Sequence, residues 1–233
     1  NLTEYVGQRH LVSEGKAIWK MVEAGHCHSM ILWGPPGTGK TTLAEIIAKA
    51  ANADVEKLSA ISAGVKDIRM TIERAEHRRQ QSGKKTVLFV DEVHRFNKSQ
   101  QDAFLPYIED GTVTFIGATT ENPAFELNSA LLSRARVYSL KKPPQAIIRQ
   151  GLERALTDQE HGYGKDNILI EANFIDAIAH AADGDVRRSL NLLEVLVDMA
   201  TEEDGKKQVT EARLVDVLGR SYSAFDKGGD ALY

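Results

Sequence analysis

The chain has 233 residues, 42% of them hydrophobic and 27% charged, with a net charge of −4 and a single cysteine, Cys27. That is enough for one large or two modest globular domains, and it excludes a disulfide framework within the chain. The acidic balance argues against a wholly basic nucleic-acid coat, though it permits a local patch. No apolar run approaches the about 18 residues of a membrane span and no signal peptide is visible, so a soluble, cytoplasmic protein with no membrane partner is expected. The missing initiator Met and the abrupt ending at 226–233 make it read as a fragment of something longer.

In chain order, Lys16–Ala24 reads as a helix and Met30–Trp33 as a short buried strand. Next come Gly34, Pro35, Pro36, Gly37, Thr38, Gly39, Lys40, Thr41 and Thr42, then a helical pattern to Ala51. Strand, glycine-rich turn and helix in that order make a phosphate-binding loop. Backbone N–H groups curl around a di- or triphosphate, and the helix N-terminus adds partial positive charge. Lys40 is placed to reach the β- and γ-phosphates, and the Thr41 hydroxyl to bind Mg²⁺. Val55–Ser59 is a weaker strand and Lys66–Gln81 a charged amphipathic helix. Thr86–Val90 is an apolar strand ending in Asp91 and Glu92, the Walker B arrangement. Asp91 is expected to hold Mg²⁺ through water, and Glu92 to activate a water for attack on the γ-phosphate of ATP.

A helix over Ser99–Ile108, a strand over Val113–Ala118, a short helix over Asn128–Ser133 and a strand over Val137–Leu140 complete the first region. The alternation predicts an α/β fold, a parallel sheet with helices on both faces and a site at the carboxyl ends of its strands. Pro143 and Pro144 mark a boundary. Beyond it, helices are predicted over Gln145–Gln159, Glu171–Ala182, Val186–Thr201 and Thr210–Leu218, with Gly184 closing one and Asp185 capping the next. Residues 162–164 and 204–207 read as surface loops. The expected domains are an ATPase domain over 1–142, a helical lid over 143–220 and a tail over 221–233. His26, Cys27 and His28 lack a second cluster to complete a metal site.

A phosphate-loop domain followed by a helical lid is the AAA+ plan. The stretches 91–111, 115–123 and 125–138 resemble one family within it, replication-associated recombination protein A, related to the eukaryotic Werner-helicase-interacting ATPase. The resemblance spans essentially the whole chain and implies a clamp-loader-like ATPase acting on DNA junctions at stalled or gapped replication forks. It also implies single-strand DNA-binding protein and replisome components as partners, and a homotetramer formed through a C-terminal region beyond this chain. Asp91-Glu92-Val93-His94-Arg95 also resembles a Holliday-junction branch-migration motor. A non-catalytic scaffold that binds nucleotide only to assemble is a further alternative, against which Glu92 speaks.

The resemblance extends to single residues. Val6 and Gln8 fall in a motif near adenine. Thr120 is the better match to sensor 1, with Asn122 an alternative; both could instead be loop residues capping Ala124 onwards. Ser133-Arg134-Ala135 resembles the clamp-loader motif whose arginine reaches a neighbour's ATP, with Arg136 competing and a surface ion pair the plain reading of Arg134. Arg187 matches sensor 2, a cation in a first helical turn that either a phosphate or Asp185 rationalises. Arg69, Arg74, His77, Arg78, Arg79, Lys84 and Lys85 form a basic region, either a solvated face or a DNA-tracking surface. His94 or Arg95 is placed to relay partner binding to Glu92.

Overall fold

The computed structural model describes residues 2–203 and 205–219; Asp204 and the tail expected over 221–233 lie outside the described residues. Two compact units divide the chain, the first ending at Lys141 and the second starting at Lys142.

The first unit runs α1 (Arg9–Val12), α2 (Ala17–Glu23), β1 (Met30–Trp33), α3 (Lys40–Ala50), β2 (Asp54–Ser59), α4 (Val65–Ser82) and β3 (Thr86–Asp91), then a 3₁₀ turn at Val93–Arg95. It continues with α5 (Lys98–Asp102), α6 (Leu105–Glu109), β4 (Val113–Thr119), α7 (Pro123–Glu126), α8 (Ser129–Leu132) and β5 (Arg136–Ser139). The strands form one parallel sheet in the order β2-β3-β4-β1-β5. Its central strands are largely apolar because both faces are covered. Alternate residues feed two cores. Met30, Leu32, Phe89, Ile116 and Ala118 face α3 residues Leu43, Ala44 and Ile47, while Ile31, Leu88, Val90 and Phe115 face Ile68 and Ile72 of α4 and Phe104. β4 therefore lies between β1, which carries the phosphate loop, and β3, which carries the two carboxylates.

The helix predicted over Ser99–Ile108 is broken into α5 and α6. Pro106 occupies the first turn of α6 and has no N–H for the Asp102 carbonyl, so one continuous helix loses a hydrogen bond there. Phe104 at the break turns fully inward, with ring centroids 5.8 Å from Phe96 and 5.4 Å from Phe115. Helix α7 was offered by the sequence only as the alternative in which loop residues cap Ala124 onwards. It is started by Asn122, whose side chain accepts from the Ala124 amide, and by Pro123 in its first turn.

The second unit comprises α9 (Gln145–Thr157), β6 (Ile168–Leu169), α10 (Ala172–Ala182), α11 (Val186–Asp198), β7 (Thr201–Glu203), β8 (Lys206–Gln208) and α12 (Glu211–Leu218). Its helices close on Ile148, Leu152, Ile178, Leu193, Leu196 and Leu214. Asp185 caps α11 by accepting from the Arg188 amide at 2.9 Å. The αL residue directly ending α10 is Asp183, with Gly184 following it. A small sheet ordered β6-β8-β7 corrects the sequence reading, which placed Thr201 in a helix and Lys206 and Lys207 in a loop. These strands are two or three residues long, and β7 and β8 are polar, so no alternation marks them. Their pairing places Glu202 opposite Lys207, a favourable cross-strand charge pair.

Phe104→Ala is expected to cost the first unit about 3–5 kcal/mol, whereas exposed Val65→Ala shifts stability by under about 0.5 kcal/mol. Urea denaturation of the two variants measures the difference.

Candidate functional site

The loop between β1 and α3 is held by its own polar atoms and by the sheet beneath it. The Gly34 amide donates to the Thr119 carbonyl at 3.1 Å. A side chain at Gly34 has no room, since a Cβ there would lie 2.4 Å from the Leu140 carbonyl oxygen. The Thr38 hydroxyl donates to the Pro35 carbonyl at 2.9 Å, and Lys40 Nζ donates to the carbonyls of Gly34 and Pro35, each at 2.8 Å. Lys40 is almost fully buried at the first turn of α3, where the helix dipole disfavours a cation and favours an anion beside it. Thr41 is half-buried and Thr42 exposed.

Tyr5, which the sequence reading passed over, closes this loop from the other side. Its hydroxyl faces the Thr38 and Gly39 carbonyls at 3.1 and 3.2 Å. Burial pushes its pKa well above the ordinary tyrosine value, so it remains a protonated donor. Gly39 adopts φ 88°, and a Cβ there would stand 2.6 Å from the Tyr5 oxygen, so the position is closed to side chains on two counts. Gln8 is buried, donating to the Lys141 carbonyl at 2.6 Å and accepting from its amide at 2.8 Å. Its side chain pins the N-terminal segment to the second residue beyond β5; Val6, two residues before it, is half-buried.

At the end of β3, the Asp91 carbonyl accepts from the Ala60 amide at 2.9 Å and its carboxylate accepts from the Glu92 amide at 3.1 Å. Glu92 sits at φ 53°, an uncommon conformation for a residue with a side chain. Its carboxylate lies 3.3 Å from His94 Nε2, and His94 Nδ1 lies 2.9 Å from the Thr119 hydroxyl. Thr119 is completely buried; its hydroxyl oxygen also accepts from the Glu121 amide at 3.0 Å and lies 3.2 Å from the Glu121 carbonyl.

The two sensor 1 candidates, Thr120 and Asn122, follow Thr119 by one and three residues. Thr120 is half-buried, and Asn122 caps α7. A signal for Thr119 was present in the sequence. Val113 and Phe115 share one face of β4, and two more steps of alternation bring Thr119 to that face, the one on which Val93 packs.

Arg134 is fixed by a salt bridge to Glu109, with Nε 2.6 Å from its carboxylate, and by hydrogen bonds from Nη1 to the Ala130 carbonyl at 2.8 Å and Ser133 Oγ at 3.0 Å. Arg136 lies over the Tyr138 ring, 5.4 Å from its centroid. Arg187 is the second residue of α11, exposed, and no described residue pairs with its guanidinium.

Most of the basic region is neutralised in place. Arg74 and Arg78 share Glu56 at 2.8 and 2.9 Å, Lys84 holds Asp54 at 2.5 Å, and Arg79 donates to the Asp110 carbonyl at 3.0 Å. Burial pushes the Cys27 thiol up to about 12, and His28 Nε2 bonds the Tyr138 hydroxyl at 3.0 Å. Among the described residues no group of three His, Cys, Asp or Glu side chains could hold a metal.

A phosphate loop at the end of the strand beside β4, with a carboxylate pair on the strand at its other side, defines the class, a AAA+ nucleotide-binding protein. Residues 30–142 match the model of the ATPase family associated with various cellular activities (AAA), and residues 164–233 that of the AAA C-terminal domain. The Holliday junction branch migration motor of Thermotoga maritima shares the fold, at 25% identity and TM-score 0.73 over 94% of this chain and 70% of that one. Over its full length the chain is 58% identical to replication-associated recombination protein A of Escherichia coli K12 and 57% identical to that of Haemophilus influenzae, covering 52% of each. It is 38% identical to ATPase WRNIP1 of Dictyostelium discoideum, covering 28% of that protein. The chain belongs to the replication-associated recombination protein A family of AAA+ ATPases, and spans about half the length of the bacterial relatives it matches.

Gly15 also has positive φ, at 78°, with nothing within 4 Å of a Cβ, so it separates backbone strain from collision. Gly39→Ala is expected to weaken nucleotide affinity at least about 10-fold, while Gly15→Ala leaves it within about twofold. Fluorescence titration with a mant-labelled ATP reads both.

Proposed function

We propose that this chain carries the ATP-hydrolysing site of an enzyme that works on DNA at stalled or gapped replication forks. The observation that supports hydrolysis is the strand order. β1 and β3 flank β4, so the phosphate loop and Glu92 leave the same sheet edge about 10 Å apart, the spacing of two strand intervals. That gap suits a triphosphate lying across the end of β4.

Mg²⁺ fits the residues present. A hydroxyl at Thr41 and a half-buried carboxylate at Asp91 are hard oxygen donors. A Mg²⁺ shared with phosphates and waters needs only one or two protein ligands, so a larger metal cluster is not required. When bound, the ion neutralises phosphate charge. Lys40 adds its own charge at the β/γ position, Glu92 accepts the proton of the attacking water, and Thr120 helps to orient that water. Val6 and Gln8 frame the adenine side. The helical domain we assign to 143–220, with Arg187 in the first turn of α11.

Arg134 acts on a neighbour's nucleotide. Arg136 pairs in register with Met30, at the start of β1, whereas Gly34 follows that strand's end. Arg134 therefore stands beyond the opposite edge of the sheet from its own phosphate loop, by at least the roughly 13 Å of a four-residue strand. One copy cannot supply both groups to one site, so the working form is a homo-oligomer, a tetramer in the longer protein. DNA as substrate is proposed from the relatives, and DNA junctions, single-strand DNA-binding protein and replisome components from the motif resemblance alone. With Arg74, Arg78, Arg79 and Lys84 already paired, the DNA surface lies away from that cluster. The protein works in the cytoplasm; no described helix is long and apolar enough to cross a membrane.

Lys40→Ala is expected to weaken ATP binding and abolish phosphate release. Glu92→Gln retains binding and lowers turnover by about 10²-fold or more. A malachite-green assay with and without forked DNA measures this; full turnover by the Glu92→Gln protein contradicts the assignment, and turnover indifferent to DNA removes the fork.

Arg134→Ala is expected to lower turnover by about 10³-fold with ATP binding intact. Mixing it with Lys40→Ala protein restores part of the activity, because one partner supplies the pocket and the other the arginine. A mixture that co-assembles and stays inactive contradicts action in trans.

A further inference from the structure

Glu92 occupies a strained position, and its long side chain has several rotamers of similar energy. Something must fix the carboxylate if it is to meet a water at one place. The described contact is to His94 Nε2 at 3.3 Å, and the His94 side chain is 7% exposed. The ring is held on its far side by the Thr119 hydroxyl at 2.9 Å.

Proton counting settles which way this chain of groups runs. An ionised Glu92 has no proton to give, so a proton on Nε2 turns the positive edge of the ring toward it, an electrostatic contact at 3.3 Å rather than an aligned hydrogen bond. Thr119 has one proton of its own. In one arrangement the hydroxyl donates to a bare Nδ1, and the imidazole is neutral. In the other the hydroxyl turns to the Glu121 carbonyl, 3.2 Å away, and accepts from a protonated Nδ1. Both arrangements present an N–H to Glu92. The remaining tautomer sets the Nε2 lone pair against the carboxylate and is disfavoured. Meanwhile Thr119 cannot rotate away, because its hydroxyl oxygen accepts from the Glu121 amide at 3.0 Å and its carbonyl accepts from Gly34.

We propose that His94 is the positioning residue for Glu92, and that Thr119 locks its ring, tying the water-activating carboxylate to the first residue of the phosphate loop. The inference rests on the ATPase reading above. His94 touches neither phosphate nor water in this role and acts only through Glu92. Releasing the carboxylate gives back the rotamer freedom of a glutamate, equivalent to a loss of about 10-fold in rate.

The test is steady-state hydrolysis by the whole chain, with kcat and KM separated, alongside mant-ATP affinity. His94→Ala is expected to lower kcat about 10-fold with KM and affinity unchanged. Thr119→Val keeps the β-branched shape, removes the hydroxyl and lowers kcat in the same way; Thr119→Ser recovers most of the loss. The double variant His94→Ala/Thr119→Val falls no further than His94→Ala, because both changes break one chain. Nitrogen-15 NMR of the His94 ring should report a protonated Nε2 in the wild type. A His94→Ala protein with wild-type kcat, a loss expressed in KM and affinity instead, a double variant falling by the product, or an unprotonated Nε2 overturns the proposal. If Glu92→Gln is inactive while His94→Ala turns over normally, this inference fails and the ATPase reading stands. If the wild type hydrolyses no ATP, the ATPase reading fails first. Should His94→Ala fail to fold, the Thr119→Val and Thr119→Ser pair decides the question in the folded protein.

Discussion

The hydrogen bond from the Gly34 amide to the Thr119 carbonyl fixes where the phosphate loop leaves the sheet, and much of the site's geometry depends on it. It continues the β1–β4 ladder one residue past Trp33, which pairs with Thr119 in register. Gly34 therefore starts the loop at the level of the last residue of β4. Because β4 is also the neighbour of β3, that residue is within reach of the turn carrying Glu92 and His94. The parallel arrangement turns three sequence-distant segments into one edge, and burying both faces of the sheet leaves that edge as the place where polar chemistry can gather.

Rigidity at this edge comes from polar atoms that satisfy one another. Thr38, Lys40 and Tyr5 all bond carbonyls of the loop, so the loop keeps its curvature through contacts to Pro35, Thr38 and Gly39. The lysine amine is thereby kept at the mouth of the loop. At the far edge of the same sheet the opposite economy holds. Arg134 is held by Glu109 and by the end of α8, a rigid placement outside its own pocket. Pocket and arginine thus stand at opposite ends of four-residue strands.

How much of this could be read in the sequence varies with the physics of each element. The central strands were legible because burial on both faces makes them largely apolar, and the phosphate loop because its glycines have few substitutes. The pairing of helices with strands followed from alternation. The break at Phe104 was missed because Pro106 interrupts a pattern that otherwise looks helical. The strands of the second unit were missed because they are only two or three residues long, too short for any alternation to show. At the site, Asp91, Glu92 and Lys40 stood out by residue type, whereas Thr119 did not. A threonine ending a strand is unremarkable until its neighbours across the sheet are known. Likewise, the basic run from Arg69 to Lys85 looked like a surface for anions only while Asp54, Glu56 and Asp110 were distant in sequence. Tyr5 has its partners more than thirty residues away, beyond the range of any local pattern.

The central claim is that one nucleotide spans the end of β4 between the loop of β1 and the carboxylates of β3. A crystal structure of the chain with Mg²⁺ and a non-hydrolysable ATP analogue tests it most directly. The account predicts phosphates within the Gly34–Thr42 loop, the ion against Thr41 and Asp91, and Glu92 as the carboxylate facing the γ-phosphate. A nucleotide bound away from that loop, or a γ-phosphate facing Glu121 instead of Glu92, would contradict it.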